Sequence, residues 1–290
     1  MDVRETLKRA AAAGARRVAP PPEQLGRRVV LCYHSVSPSA SYVSLSPELF
    51  DAHLEWLERH CTVVALSDLV DRRRASSGPQ VAITFDDGYA DNHTHALPLL
   101  AARGMPATFF LTAGFLERDA PVLARLANTW STPIDRLDPL AWEQVEEMRA
   151  AGMSFGSHTW SHRNLAQIDD AEAERELTRS KQVLEERLSA PVSAIAYPWG
   201  KLRRHVTEST FATAARAGYE LGVFSLPRAL RESDQPLRIP RFGVGSEPVE
   251  SLAEKVRGAI DWHGVVHERM PVALARALWP HDAGDPAGVA

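Results

Sequence analysis

Short, β-leaning apolar runs alternate along the chain with longer stretches whose apolar positions return every three or four residues. RVVLCY at 28–33, VAITF at 81–85 and ATFFLT at 107–112 are nearly unbroken runs, the pattern of strands covered on both faces. Further runs at 61–66, 153–156, 192–197, 219–224 and 237–241 predict more strands. Phe50, Leu54 and Leu57 share a helical face behind Ser46 and Pro47, a capping serine and a first-turn proline. Ser67 opens a short helix to Val70, and a helix over 95–103 stops at Gly104. Asp138 and Pro139 open another, whose Val145 and Met148 face inward as far as Gly152. Leu177, Leu184 and Leu188 mark one side of a helix over 170–188, and 207–217 and 249–260 predict two more. The stretch 113–137 has no strong period and reads as a long loop.

This alternation predicts an α/β fold with a parallel sheet. At this length the expected form is a single-domain, TIM-like (β/α) barrel of about seven or eight strands. An open doubly wound sheet competes, but no glycine-rich phosphate loop follows the first strands. The barrel is expected over 28–265. Residues 1–27 read as a helical extension closed by Pro20, Pro21 and Pro22, and 266–290 as a partly disordered tail.

Composition narrows the function by exclusion. A net charge of −4, from 33 basic and 37 acidic residues, leaves no electrostatic footprint for nucleic acid. The short clusters Arg72–Arg73–Arg74 and Arg203–Arg204 read as solvated faces. Two cysteines, Cys32 and Cys61, cannot make a disulfide framework. No apolar run approaches the ~18 residues of a transmembrane span, and arginines interrupt the N-terminal alanine patch before a secretory core can form. The expectation is a cytoplasmic protein, with no indication of its oligomeric state.

Candidate chemistry collects where strands end. Asp86 and Asp87 follow the 81–85 run directly and precede Gly88. Neighbours on a strand face opposite ways, so both carboxylates enter one cavity only if the backbone bends there. Like charges so close raise one another's pKa unless a cation lies beside them, and a metal ion is the usual answer. A surface Asp-Asp-Gly turn is the competing reading. His34, His158, Tyr197 and Pro198 also close predicted strands, so a barrel brings them all to its carboxyl face. His158 and His162, four apart in HTWSH, can meet one ion. No glutamate follows the first histidine, which removes the HExxH peptidase reading. One Asp and two His form a three-ligand site with open positions, suited to zinc, cobalt, iron, manganese or nickel. Such an ion lowers the pKa of a bound water and polarises a carbonyl. A second carboxylate can act as base and a histidine as acid, which is the equipment for amide hydrolysis.

TFDDGY, SHTWSH, ELTRSKQVLEERL and AIAYPWG, in that order, resemble the motifs of the polysaccharide deacetylase family, carbohydrate esterase family four, over residues 30–244. The resemblance implies a distorted βα barrel that uses one divalent ion, zinc first, to hydrolyse the N-acetyl group of an N-acetylated sugar. Asp86 is then the catalytic base, and Asp87, His158 and His162 hold the ion. The Trp199 N–H stabilises the oxyanion. Tyr197, Pro198, Trp199 and Gly200 form the substrate-binding stretch, with Tyr197 and Trp199 as sugar-stacking walls or as aromatics packing the barrel rim. Two departures stand out. Ala196 occupies the place where many members carry an arginine that orients the base, and Arg241, ahead of Arg238, is expected to substitute. No Leu-x-His strand follows Val244, whereas LCYHSV resembles the rearranged members whose acid-histidine strand comes first, making His34 the general acid. The competing functions are a non-catalytic carbohydrate-binding barrel, an amidohydrolase of a small non-sugar amide, and a two-His-one-carboxylate iron oxygenase.

Overall fold

The computed structural model describes residues 26–38, 43–71 and 78–269, so the expected N-terminal helix, the Arg72–Arg74 cluster and the tail beyond 269 lie outside the described residues. Strand β1 (Arg28–Tyr33) and the two-residue strands β2 (Ser35–Val36) and β3 (Ser44–Leu45) lead into helix α1 (Pro47–His60). Strand β4 (Thr62–Val63), α2 (Leu66–Val70) and β5 (Gln80–Phe85) follow. A π-helical turn, Asn92–Ala96, runs into α3 (Leu97–Ala102), and then come β6 (Ala107–Leu111), α4 (Ala113–Leu116), α5 (Ala120–Thr129) and α6 (Trp142–Ala150). The chain continues through β7 (Ser154–Ser157), α7 (Asp170–Leu188), β8 (Ala194–Ala196), α8 (Glu208–Arg216) and β9 (Leu221–Ser225). It ends with β10 (Ile239–Gly243), α9 (Val249–Arg257) and α10 (Asp261–Arg269). No described helix is long and apolar enough to cross a membrane.

Strands β5 to β10 follow one another in parallel, and β1 pairs with both ends of that series, closing a barrel of seven parallel strands. The β1–β5 seam is in register from Arg28 opposite Gln80 to Tyr33 opposite Phe85. The β1–β10 seam is short, with Leu31 opposite Phe242 and Cys32 opposite Gly243. Strand β4 joins beside the start of β5. The barrel is distorted, because the β9–β10 connection carries no helix and instead pairs Leu230 with Arg28.

Alternation along the strands sorts residues into two cores. Val29, Leu31, Tyr33, Val81, Ile83, Phe85, Phe109 and Tyr197 face outward into the helical shell. Phe85 and Phe109 stack there at 4.7 Å, and each such buried aromatic contributes about 1.5–3 kcal/mol. Val30, Ala82, Phe110, Ala196, Val223 and Ile239 face inward and pack with Leu66 and Leu69 of α2. Above that apolar floor the inward positions of three strands carry ligand-type or polar groups: Cys32 and His34 after Val30, Thr84 and Asp86 after Ala82, Arg241 after Ile239. The interior is narrow, since a Cβ on Gly156 would lie 2.6 Å from the Phe110 ring.

Several expected elements differ. The 113–137 stretch holds α4, α5 and a 3₁₀ turn at Ile134–Arg136. Helix α5 is specified by an Asp119 cap that accepts from Val122 N–H and by Pro121 in the first turn, with only Val122 and Leu126 buried, too short a stripe to show a period. Helix α2 starts at Leu66, one residue before the expected Ser67 cap. Helix α6 starts at Trp142, because Pro139 is used in a bridge to Tyr89. Helix α10 runs to Arg269, past the expected barrel boundary at 265.

Candidate active site

The first half of the site is made by the way β5 ends. Asp86 N–H still donates to Tyr33 O at 3.0 Å, which keeps Asp86 on the barrel-facing side. Asp87 and Gly88 then take φ of 75° and 92°, and this left-handed turn brings the second carboxylate back over the mouth. Gly88 suits the turn because its φ of 92° is one that L side chains rarely adopt. The other half is the loop after β7, where Thr159 and His162 also have positive φ, 67° and 55°. Such strain costs of order 1–3 kcal/mol per residue and persists only where the surroundings fix it. Here Ser157 Oγ accepts from Thr159 N–H at 3.1 Å and Thr159 Oγ1 accepts from His162 N–H at 3.0 Å. Buried Glu176 of α7 accepts from both the N–H and the hydroxyl of Ser161.

These turns bring Asp87, His158 and His162 together. Asp87 Oδ1 lies 3.5 Å from Nε2 of each histidine, and all three side chains are buried. Two nitrogen or oxygen ligands at about 2.0–2.1 Å on a tetrahedral ion stand about 3.4 Å apart, so this spacing is that of a ligand set. His158 Nδ1 is 2.8 Å from Ala196 O and donates to it, which leaves Nε2 with its lone pair toward Asp87. Asp87 Oδ1 is a buried acceptor with no hydrogen-bond partner, a costly arrangement unless a cation meets it. Burial, and then Asp86, push the Asp87 pKa well above the usual carboxylate range. Burial, and then His158, push His162 well below the usual imidazole value. Three acid–base groups thus share one ion-sized space, and the donor set fits a divalent ion.

Asp86 is held differently. Arg241 grips both its oxygens, Nη1 to Oδ1 at 2.8 Å and Nη2 to Oδ2 at 2.5 Å, and Arg241 Nη1 also donates to Thr84 Oγ1, whose hydroxyl donates to Leu31 O. Burial would raise the Asp86 pKa, but Arg241, with His158, outweighs it and holds the carboxyl well below its ordinary range. Arg238 points elsewhere, forking onto exposed Glu208. The residue gripping the carboxylate is Arg241.

His34 stands at the end of β1, its backbone held by Asn92 Nδ2 donating to His34 O at 2.8 Å. Burial lowers its pKa to about 4 although Asp86 pulls the other way, so the imidazole is neutral at pH 7. Two residues earlier, on the same strand face, the Cys32 thiol donates to Asp86 Oδ2 at 3.4 Å. Burial raises that thiol's pKa well above its ordinary value.

The expected substrate wall divides. Trp199 is half-buried with φ 57°, its ring edge-on to His162 at 4.9 Å and to His205 at 5.5 Å. Tyr197 is fully buried, its hydroxyl donates to Leu237 O at 3.1 Å, and its ring meets Phe211. It therefore packs the helical shell and is no sugar-facing wall, as the parity of β8 dictates when Ala196 faces inward. Pro198 and Gly200 are buried beside it, and a Cβ on Gly200 would stand 2.6 Å from Ser225 N. Sequence reasoning missed Trp130 and Tyr89, half-buried rings 5.4 Å apart, with Trp130 5.8 Å from His162. Trp130 lay in the stretch without a period, so no signal marked it. Cys32 and Thr84 were legible in principle, being two residues before His34 and Asp86 on a period of two.

The family model for polysaccharide deacetylase matches residues 73–222. That stretch contains Asp86, Asp87, His158, His162 and Trp199, while His34 and Arg241 fall outside it. YxkH of Bacillus subtilis, whose name assigns it to the polysaccharide deacetylases, is 29% identical over 71% of this chain and 67% of its own length. The poly-beta-1,6-N-acetyl-D-glucosamine N-deacetylase of Staphylococcus aureus is 22% identical over 78% of this chain and 76% of its own. Among solved structures, IcaB from Ammonifex degensii superposes with a TM-score of 0.66 at 25% identity, covering 81% of this chain and 99% of that one. The Streptococcus pyogenes deacetylase PplD, in complex with acetate, superposes with a TM-score of 0.67 at 24% identity, covering 80% and 99%, and shows the shared fold.

Proposed function

The chain belongs to the polysaccharide deacetylase family, and from that premise we propose that it is a metal-dependent hydrolase that removes the acetyl group from N-acetylhexosamine units of a glycan. The observation that carries the reading is the unpartnered Asp87 Oδ1, 3.5 Å from two imidazole nitrogens and next to a carboxylate that Arg241 keeps ionised. Asp87, His158 and His162 would hold a divalent ion, zinc first among those the donors accept. When bound, the ion supplies Lewis acidity, polarising the acetyl carbonyl and easing loss of a proton from the attacking water.

The remaining work falls to the chain's own residues. Asp86 accepts the proton of the attacking water at a carboxylate oxygen that Arg241 has already oriented. Because Arg241 makes Asp86 so weak a base, Asp86 does not retain that proton. Neutral His34 is the better resting place and delivers it to the departing amine nitrogen. The Trp199 N–H donates to the oxygen that gains charge as the carbonyl becomes tetrahedral. Trp130, Tyr89 and Trp199 offer ring faces and edges to a sugar beside His162.

Acetate release tests the reading, with poly-β-1,6-N-acetylglucosamine as the first substrate because a relative is named for it. N-acetylglucosamine oligomers and a small N-acetyl amide complete the panel. Release that stops on chelation, returns with zinc or cobalt, and falls by about 10²–10⁴-fold in Asp86→Asn is the expected result. Binding of the glycans without acetate from any of them would replace the enzyme by a carbohydrate-binding barrel. Release from the small amide alone would replace the substrate class.

A further inference from the structure

Among the described residues, one more cluster of ligand-type side chains lies outside the proposed ion triad: Cys32, His34 and Asp86 place a sulfur, an imidazole nitrogen and a carboxylate oxygen within 4.8 Å of one another. Cys32 and His34 share the inward face of β1, and Asp86 reaches them across the β1–β5 seam. We propose that these three residues form a second, weaker site for a thiophilic divalent ion, and that filling it inhibits the enzyme. The site itself stands without the proposed function; the inhibition rests on that reading.

The geometry is that of an ion replacing a shared proton. Sulfur and oxygen ligands at about 2.3 and 2.0 Å on tetrahedral zinc stand about 3.5 Å apart. Cys32 Sγ and Asp86 Oδ2 are 3.4 Å apart, now bridged by the thiol hydrogen. Binding breaks the S–H bond, forms a sulfur–metal bond and releases the proton to solvent, with no change of oxidation state. Arg241 does not close the site, because an ionised carboxylate has about four lone-pair positions and the guanidinium uses two. Its positive charge does lower the affinity, and so the Asp87–His158–His162 set, whose Asp87 Oδ1 no guanidinium grips, fills first. Donor softness sets the selectivity: thiolate and imidazole take zinc or cobalt and leave magnesium and calcium. Occupancy removes both groups that move the proton, since Asp86 and His34 become ligands.

Cobalt titration of the apo-protein followed by absorption tests this without any activity. The wild type is expected to bind two equivalents, the second accompanied by a near-ultraviolet thiolate-to-cobalt charge-transfer band. Cys32→Ser and Cys32→Ala should bind one equivalent and lack that band, and the visible bands from the first site show that the fold survives. In acetate release, excess zinc should inhibit the wild type at concentrations at least about tenfold below those needed for Cys32→Ser, each compared with its own rate at one equivalent. A wild type that saturates at one cobalt, or shows no charge-transfer band at the second, overturns the site. Equal zinc sensitivity in wild type and Cys32→Ser overturns the inhibition. If no substrate releases acetate, the function is wrong, and the cobalt stoichiometry still decides the site.

Discussion

Two neighbouring aspartates with opposite fates set the chemistry at the scale of single residues. Asp86 is ionised by a two-pronged arginine, while Asp87 keeps one buried oxygen without a hydrogen-bond partner. Removing the arginine exposes the cost of burying that charge. Arg241→Ala should lose about 3–5 kcal/mol in a denaturant melt, as breaking a buried pair does, and acetate release should fall with it. Arg238→Ala breaks an exposed fork onto Glu208 and a cation–π contact with Phe211 at 4.3 Å, and should cost no more than about 2 kcal/mol, with activity kept. The comparison separates the two arginines that the RIPR motif presented together. That Asp86, Asp87, His158 and His162 come together was readable from spacing and strand ends. Whether Tyr197 faced sugar or shell was not, because the answer depends on which parity of β8 points inward, and a strand covered on both faces shows no alternation.

Among the elements, α7 and the loop after β7 act as one part. Glu176→Gln keeps the size of the side chain that ties Ser161 down but removes its charge, and the strained Thr159 and His162 then lose their anchor. Affinity for the first ion should fall about 10–100-fold in a competition titration with a chelator, the range of a lost supporting contact. Helix α1 carries a second testable group. His53 is fully buried, its Nε2 donating to Glu247 O at 2.9 Å and its Nδ1 3.3 Å from the Tyr33 hydroxyl. Burial lowers its pKa below the ordinary 6.5, against the Glu247 contact and helped by Lys255. The unfolded chain therefore binds the proton more readily. The stabilisation is whole above pH 6.5 and is lost as the pH falls through the lowered folded value. Thermal melts between pH 7 and 5 should slope less in His53→Gln than in wild type. Long elements such as α1 and α7 were legible because their apolar stripes run over several turns, and in α1 the cap agreed. The short α4 and α5 were not, since α4 is one turn buried all round and α5 has only two buried positions, so neither shows a period.

For the whole molecule, the barrel followed from the strand–helix alternation, and its closure follows from β1, which joins β5 to β10. The aromatic stack outside β5 and β6 supports that ring. Phe109→Ala should lower stability by about 3–5 kcal/mol in urea, while cobalt absorption at the Asp87 set keeps its shape in the protein that remains folded. What the sequence left open was where the distortion lies, because nothing in the 226–238 composition distinguishes a helix from the extended segment that pairs with Arg28. The same seam has a consequence for synthesis. Asp86 and its arginine lie 155 residues apart, and Arg241 sits on the last of the described strands. While the chain is still emerging from a ribosome, the two aspartates exist without the guanidinium, and β1 has only one neighbour. A polypeptide interrupted anywhere before β10 thus leaves an open-edged sheet with an unclamped carboxylate, and proteolytic surveillance of such fragments would find the β1 edge exposed.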